Sequence, residues 1–88
     1  MVKQKVMITN PSGLHLRPAG NLCKEASKYD AEVEFAYDGV IANAKSVLSV
    51  LSACVKCGEE IELICNGEDE QEAMQGLLSV IESGLGEQ

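Results

Sequence analysis

The chain's one histidine, His15, stands in Gly13-Leu14-His15-Leu16-Arg17-Pro18. It follows a run of turn formers, Asn10-Pro11-Ser12-Gly13, and precedes apolar residues at helical spacing, Ala19, Leu22, Cys23 and Ala26. This pattern predicts a helix over Leu16–Lys28, with Pro18 in a first turn whose N–H donors have no intrahelical partner. His15 is thereby put at a helix N-terminus, which favours a bound anion, disfavours imidazolium and suits a neutral, nucleophilic imidazole. Arg17 adds a planar donor fork matched to phosphate oxygens. The chemistry this suggests is phosphoryl acceptance, since a phosphohistidine here would meet helix N–H groups and a guanidinium. A lone loop histidine is otherwise a cap or a solvated side chain; Arg17 and Pro18 turn the balance toward function.

A second group surrounds Ser46. It is placed as the N-cap of a short helix running to about Val55, with Gly58 beyond the end as a stop. A phosphate on Ser46 would sit favourably on that helix N-terminus. The helix is apolar almost all round, with Val50, Ala53, Cys54 and Cys57 on one side and Val47, Leu48, Leu51 and Val55 on another. The second set is either covered by another element or forms an exposed patch for a partner, and the residues alone leave both open.

Cys54-Val55-Lys56-Cys57 has the spacing of a redox or zinc pair. One CxxC far from the only histidine is weak for zinc, and at a helix end it lacks the dipole that activates a dithiol. Cys54 and Cys57 are therefore expected to be structural, as free cysteine is among the most buried residue types. No Ser-His-Asp set and no Walker or Rossmann glycine pattern is recognisable, and no metal or cofactor is expected.

The other elements must hold these groups in place. Val2, Val6 and Ile8 against Lys3 and Lys5 predict a strand over Val2–Thr9. Ala31–Tyr37 alternates Val33, Phe35 and Tyr37 with Glu32, Glu34 and Ala36, and Asp38-Gly39 is a strong hairpin turn, so a further strand starts near Val40. Ile61, Leu63 and Cys65 mark a fourth strand closing at Asn66-Gly67. Met74, Leu77, Leu78 and Ile81 recur at helical spacing in Asp69–Ser83, with acidic residues in the first turn. The order is β-α-β-β-α-β-α without repeat or linker, so residues 1–88 are expected to form a single domain, most simply a sheet with helices on one face.

Composition narrows the function classes. The 88 residues carry 7 basic and 14 acidic side chains, net −7, which argues against a nucleic-acid binder and a polybasic membrane anchor. With 45% hydrophobic but 3% aromatic residues, the chain folds around an aliphatic core. A chain this short buries only about 60% of its unfolded surface, which leaves little support for a large cleft. The longest mostly apolar stretch, Val47–Val55, is far short of the roughly 20 residues of a membrane span. Lys3 and Lys5 are followed by too few apolar residues for a secretory signal, so a cytoplasmic protein with reduced thiols is expected. The charge is also uneven. Residues 1–58 hold seven basic and five acidic side chains, a balance of +2, whereas residues 59–88 hold nine acidic and none basic. Arg17, Lys24 and Lys28 fall along one side of the first helix beside His15, a local basic face for phosphate and acidic partners.

The segment S-G-L-H-L-R-P-A, the block A-K-S-V-L-S-V-L-S around Ser46, A-S-K-Y-D-A at Ala26–Ala31, S-G-L-G-E at Ser83–Glu87 and the element order together resemble the HPr family, the histidine-containing phosphocarriers of the bacterial sugar phosphotransferase system, in their Gram-positive form. The resemblance spans the whole chain and implies an α+β, two-layer open-faced β-sandwich, a four-stranded antiparallel sheet with three helices on one face. It implies that His15 takes a phosphoryl group on Nδ1 from phospho-enzyme I and passes it to IIA domains of sugar permeases, with Arg17 and Pro18 completing the site. Such a protein is a stoichiometric carrier rather than an enzyme, and because a carrier must dock face to face with successive partners, a monomer is expected. The resemblance further makes Ser46 the regulatory site of an ATP-dependent HPr kinase/phosphorylase, with a catabolite control protein as partner of the phosphorylated form. It assigns Leu16, Lys24, Val47, Leu48 and Leu51 to partner docking, which turns the second set of the Ser46 helix toward exposure. Leu16, Leu48, Ser49, Leu51 and Cys54 depart from the residues usual in the family, and none of these departures removes a phosphoacceptor. A regulatory homologue in the family lacks the histidine, so His15 favours the carrier. The alternatives are a purely regulatory binding module acting through Ser46 and a CxxC redox or metal protein.

Overall fold

The computed structural model describes residues 1–87. Its elements are β1 (Val2–Met7), α1 (Leu16–Ala26), β2 (Glu32–Tyr37), β3 (Val40–Asn43), α2 (Val47–Ala53), β4 (Glu60–Asn66) and α3 (Glu70–Glu82). The strands form one antiparallel sheet in the order β1-β4-β2-β3, which makes β4 and β2 central. Because strand side chains alternate between faces, the register sets Cys65 between Val2 and Val33, and Leu63 beside Phe35, on one face. Those residues join Leu22 and Ala26 of α1, Val50 of α2 and Leu77 and Ile81 of α3 in a single core. The other face carries charge, with Lys5 opposite Glu62, and Lys3 and Glu34 flanking Ile64. The expected two-layer α+β sandwich with three helices on one side of the sheet is therefore the fold.

Several boundaries move by a few residues, each for a local reason. Formal pairing of the first strand stops at Met7, yet Ile8 still donates to Glu59 O at 2.8 Å and accepts from Gly58 N at 2.7 Å. α1 ends at Ala26 rather than Lys28, because the N–H groups of Lys28 and Tyr29 turn back to Glu25 O and Ala26 O in a tightened last turn. The Asp38-Gly39 turn has both residues at positive φ, 50° and 78°, the type I′ geometry that matches strand twist. Asp69 does not cap its own helix; its two oxygens accept from Asp30 N–H at 2.9 Å and Ala31 N–H at 2.8 Å, tying the α1–β2 connection to the start of α3. The Asp30 N–H is the first cause that holds this carboxyl below its ordinary range.

α2 is shorter than expected, stopping at Ala53, because Cys54 adopts the left-handed conformation at φ 57°, ψ 39° and its N–H closes on Leu51 O. Glycine takes that position at least cost, whereas an L side chain there costs about 1–2 kcal/mol, partly offset by glycine's extra freedom in the unfolded chain. Cys54→Gly is thus expected to stabilise by about 0.5–1 kcal/mol and raise the melting temperature by a few degrees. Scanning calorimetry checks it, and an unchanged or lower midpoint contradicts the strain assigned to Cys54.

Candidate functional site

His15 is the N-cap residue of α1, with extended backbone and a carbonyl that accepts from Ala19 N–H at 2.7 Å. Its imidazole makes no capping hydrogen bond and is exposed, so the side chain is not spent on holding the helix. Pro18 has no N–H to offer, and among the described residues the N–H groups of Leu16 and Arg17 find no protein acceptor. The helix therefore starts with two donors available beside a free imidazole and the exposed Arg17 side chain.

The backbone around that imidazole is tightly held. Gly13 N–H bonds to Asn10 O at 3.0 Å, Asn10 Nδ2 to Gly13 O at 2.6 Å, and Leu14 N–H to Val55 O at 2.9 Å. Leu14 and Pro18 are buried on either side of the histidine. Gly13 has φ +64° and lies so close to Val55–Cys57 that a Cβ on it would come within 3 Å of their backbone atoms. The turn signal seen in the sequence thus becomes a loop docked on the segment after α2. Between them runs a groove of about 370 Å³ lined by Ser12, Leu14, His15, Leu51, Cys54, Val55 and Lys56.

Ser46 caps α2 as expected, its Oγ accepting from Ser49 N–H at 3.2 Å. Ser49 in turn accepts from Asn43 N–H at 2.9 Å, so the hydroxyl at this unusual position stitches β3 to the helix. Ser46 is not among the residues that line the His15 groove. The expected docking set divides. Leu16 is 62% and Leu48 76% exposed, and Lys24 is exposed, whereas Val47 and Leu51 are half-buried against the core. The two open options for α2 are thus both realised in part: Val47 and Leu51 are partly covered, and Leu48 stands out. Of the basic residues on α1, Lys28 is taken by Glu25 at 2.9 Å, while Arg17 and Lys24 make no ion pair among the described residues.

The cysteine expectation needs correction. Cys65 is buried, and burial pushes its thiol up, but Cys54 and Cys57 are exposed rather than packed. The early end of α2 is the reason, because it turns both out of the helical face assumed for them. Their thiols contact separate carbonyls, Leu51 O and Thr9 O. Among the described residues no group of three or more His, Cys, Asp or Glu side chains is arranged to hold a metal ion, and no helix is long and apolar enough to cross a membrane.

One residue at the site is given no role by the sequence. Glu87 Oε1 accepts from Ser12 Oγ at 2.6 Å, Asn10 Nδ2 at 3.1 Å and Ser12 N–H at 3.2 Å. The Ser12 hydroxyl first, then the Asn10 amide, the Ser12 N–H and the charge of Arg17, hold this carboxyl below its ordinary range. No local pattern marks the contact, which joins residues 75 positions apart.

The family model described as "PTS HPr component phosphorylation site" matches residues 2–83. The HPr-like protein Crh of Bacillus subtilis is 40% identical over 82 residues, covering 93% of this chain and 96% of that one. A crystal structure of HPr-C-His from Thermoanaerobacter tengcongensis superposes with a TM-score of 0.96 at 36% identity, covering 100% of this chain and 99% of the other. A structure described as an HPr dimer from the same organism has a TM-score of 0.79 at 37% identity, covering 99% and 100%.

Proposed function

The chain belongs to the HPr phosphocarrier family of the phosphotransferase system, and from that premise we propose that it carries a phosphoryl group on His15. In this reading Nδ1 of His15 attacks the phosphoryl group of phospho-enzyme I, the N–P bond forming as the donor bond breaks, and the group later leaves for a IIA domain of a sugar permease. Little covalent chemistry is asked of the protein, so positioning and charge stabilisation supply the catalysis. The Leu16 and Arg17 N–H groups and the Arg17 guanidinium take the phosphoryl oxygens, and the buried Pro18 fixes the helix start. The observation that carries this reading is the free, exposed imidazole on a docked backbone, beside unpaired helix donors. The basic Lys24 and apolar Leu16, Leu48, Leu51 and Val47 form the docking face. The protein acts as a cytoplasmic, monomeric, stoichiometric carrier rather than an enzyme.

Ser46 is the second phosphorylation site in this proposal, modified by HPr kinase/phosphorylase to give the form that binds a catabolite control protein. A module acting only through Ser46 is the competing reading, and the likeness to an HPr-like protein named Crh keeps it in view. One experiment separates them. Incubation with enzyme I and phosphoenolpyruvate is expected to add one acid-labile phosphate by mass spectrometry, which a IIA domain then removes. A chain that takes no phosphate from enzyme I, yet is phosphorylated on Ser46 by the kinase with ATP, is a regulator and not a carrier.

A further inference from the structure

The segment after α3 is built as a strap. Gly84, Leu85 and Gly86 all have positive φ, at 90°, 52° and 84°. Leu85 is fully buried, its N–H bonds to Val80 O, and its carbonyl accepts from Asn21 Nδ2 of α1 at 2.8 Å. A Cβ on Gly86 would come within 2.5 Å of that same Asn21 amide nitrogen, so the strap lies flat against α1. A leucine in the left-handed region is costly, and a buried anchor must hold it there. What the strap delivers is the Glu87 side chain, set against Ser12 and Asn10 of the loop that ends in His15. Asn10 is 2% exposed, and its amide group bonds Glu87 on one side and the Gly13 carbonyl on the other.

We propose that Glu87 is a positioning residue for His15, acting as a hydrogen-bond acceptor that clasps Ser12 and Asn10 and so fixes the loop from which the imidazole projects. The path is short and covalent at its end: Glu87 to Asn10, Asn10 to Gly13, then Leu14 and His15. The clasp also occupies the Ser12 N–H and Oγ donors. An incoming phosphoryl group is therefore left to the donors at the start of α1, and the rim of the groove does not compete for it. Among the described residues Asn10 Oδ1 is buried without a protein partner, and the Nδ2 bonds to Glu87 and to the Gly13 carbonyl hold this amide in place. Loss of the acceptor frees the Ser12 N–H, its hydroxyl and the Asn10 amide together, and a loop displacement of about 1 Å is enough to slow phosphoryl transfer by one to two orders of magnitude.

This inference rests on His15 being the phosphoacceptor only in its kinetic part, so the test has two arms. In the first, Glu87→Ala and Glu87→Gln are compared with the parent by two-dimensional NMR of the His15 imidazole and by amide exchange at Ser12. The alanine variant is expected to shift the imidazole resonances and speed Ser12 exchange by about tenfold or more as the clasp opens. The glutamine variant keeps the acceptor oxygen and is expected to restore both. In the second arm, phosphorylation by enzyme I is expected to slow about tenfold in Glu87→Ala, with recovery in Glu87→Gln. Imidazole signals that do not move in Glu87→Ala overturn the proposal, and so does a glutamine variant that behaves like alanine, because charge rather than the clasp would then be acting. A parent chain that takes no phosphate from enzyme I defeats the carrier reading alone, and the NMR arm still decides the role of Glu87.

Discussion

His15→Ala is expected to abolish acid-labile phosphate uptake from enzyme I while leaving the melting temperature almost unchanged. The two halves of this expectation come from separate observations. The imidazole is the only one in the chain, so no neighbouring histidine can take over the nucleophilic role proposed for it. It is also exposed and makes no capping bond, so truncating it removes little packing and, among the described residues, strands no hydrogen-bond partner. Surface substitutions of this kind stay within about 0.5 kcal/mol. The helix loses nothing at its N-cap position either, because what His15 contributes there is its backbone carbonyl, which alanine keeps. Arg17→Ala is the instructive contrast. Removing one charge-assisted donor to phosphate costs about 1.5–3 kcal/mol, so uptake should slow by about 10- to 100-fold rather than vanish. Timed quench and mass spectrometry of the intact protein checks both. Phosphate uptake persisting in His15→Ala would move the acceptor elsewhere, and a large fall in its melting temperature would mean that the imidazole holds the fold after all.

The site was legible in the sequence to the extent that it is local. His15 and Ser46 are both recognisable as the first residues of helices, because turn formers, capping side chains and the onset of apolar periodicity lie within a few positions of each. The Asp38-Gly39 hairpin was legible for the same reason, since only a pair tolerating positive φ suits a two-residue turn. The end of α2 was not. Cys54 takes a conformation that its residue type does not advertise, so a periodicity that reads on to Val55 and Cys57 points two cysteines inward that in fact face solvent. Val55, counted as helical, instead presents its carbonyl to Leu14 and becomes part of the wall behind the histidine. The exposure of the docking set was only half legible, as helical spacing orders Val47, Leu48 and Leu51 around an axis but does not say how far the core reaches up the helix side. Strand order is a further step removed. Alternation says which residues share a face, and nothing in it says that β4 comes between β1 and β2. Glu87 lay out of reach because its partners are joined to it only by the packing of Leu85, which is a property of the folded chain.

Gly13→Ala carries the largest expected loss of stability, and it tests whether the His15 loop is held by close packing or merely by its turn. Two costs add. At φ +64° an L side chain costs about 1–2 kcal/mol. The new Cβ would also stand 2.5 Å from Val55 O, 2.8 Å from Lys56 Cα and 2.9 Å from Cys57 N, all backbone atoms that cannot rotate away. The loop must lift, and in lifting it gives up the Leu14 N–H bond to Val55 O and strains the Asn10 bond to Gly13 O, each worth about 1 kcal/mol. A total of about 3–4 kcal/mol is a large share of the 5–15 kcal/mol that stabilises a typical domain. For a chain of this size it lowers the melting temperature by roughly 15–25 °C. Gly58→Ala separates the two costs, since Gly58 also has positive φ, +91°, but a Cβ there meets nothing within 4 Å. That variant should lose only the conformational part, about 1–2 kcal/mol. Melting curves of the two proteins side by side decide the matter. If Gly13→Ala falls no further than Gly58→Ala, the contact with Val55–Cys57 is not what fixes the loop. A much deeper fall, with phosphate uptake impaired even well below the midpoint, is the result expected of a backbone whose docking sets where His15 stands.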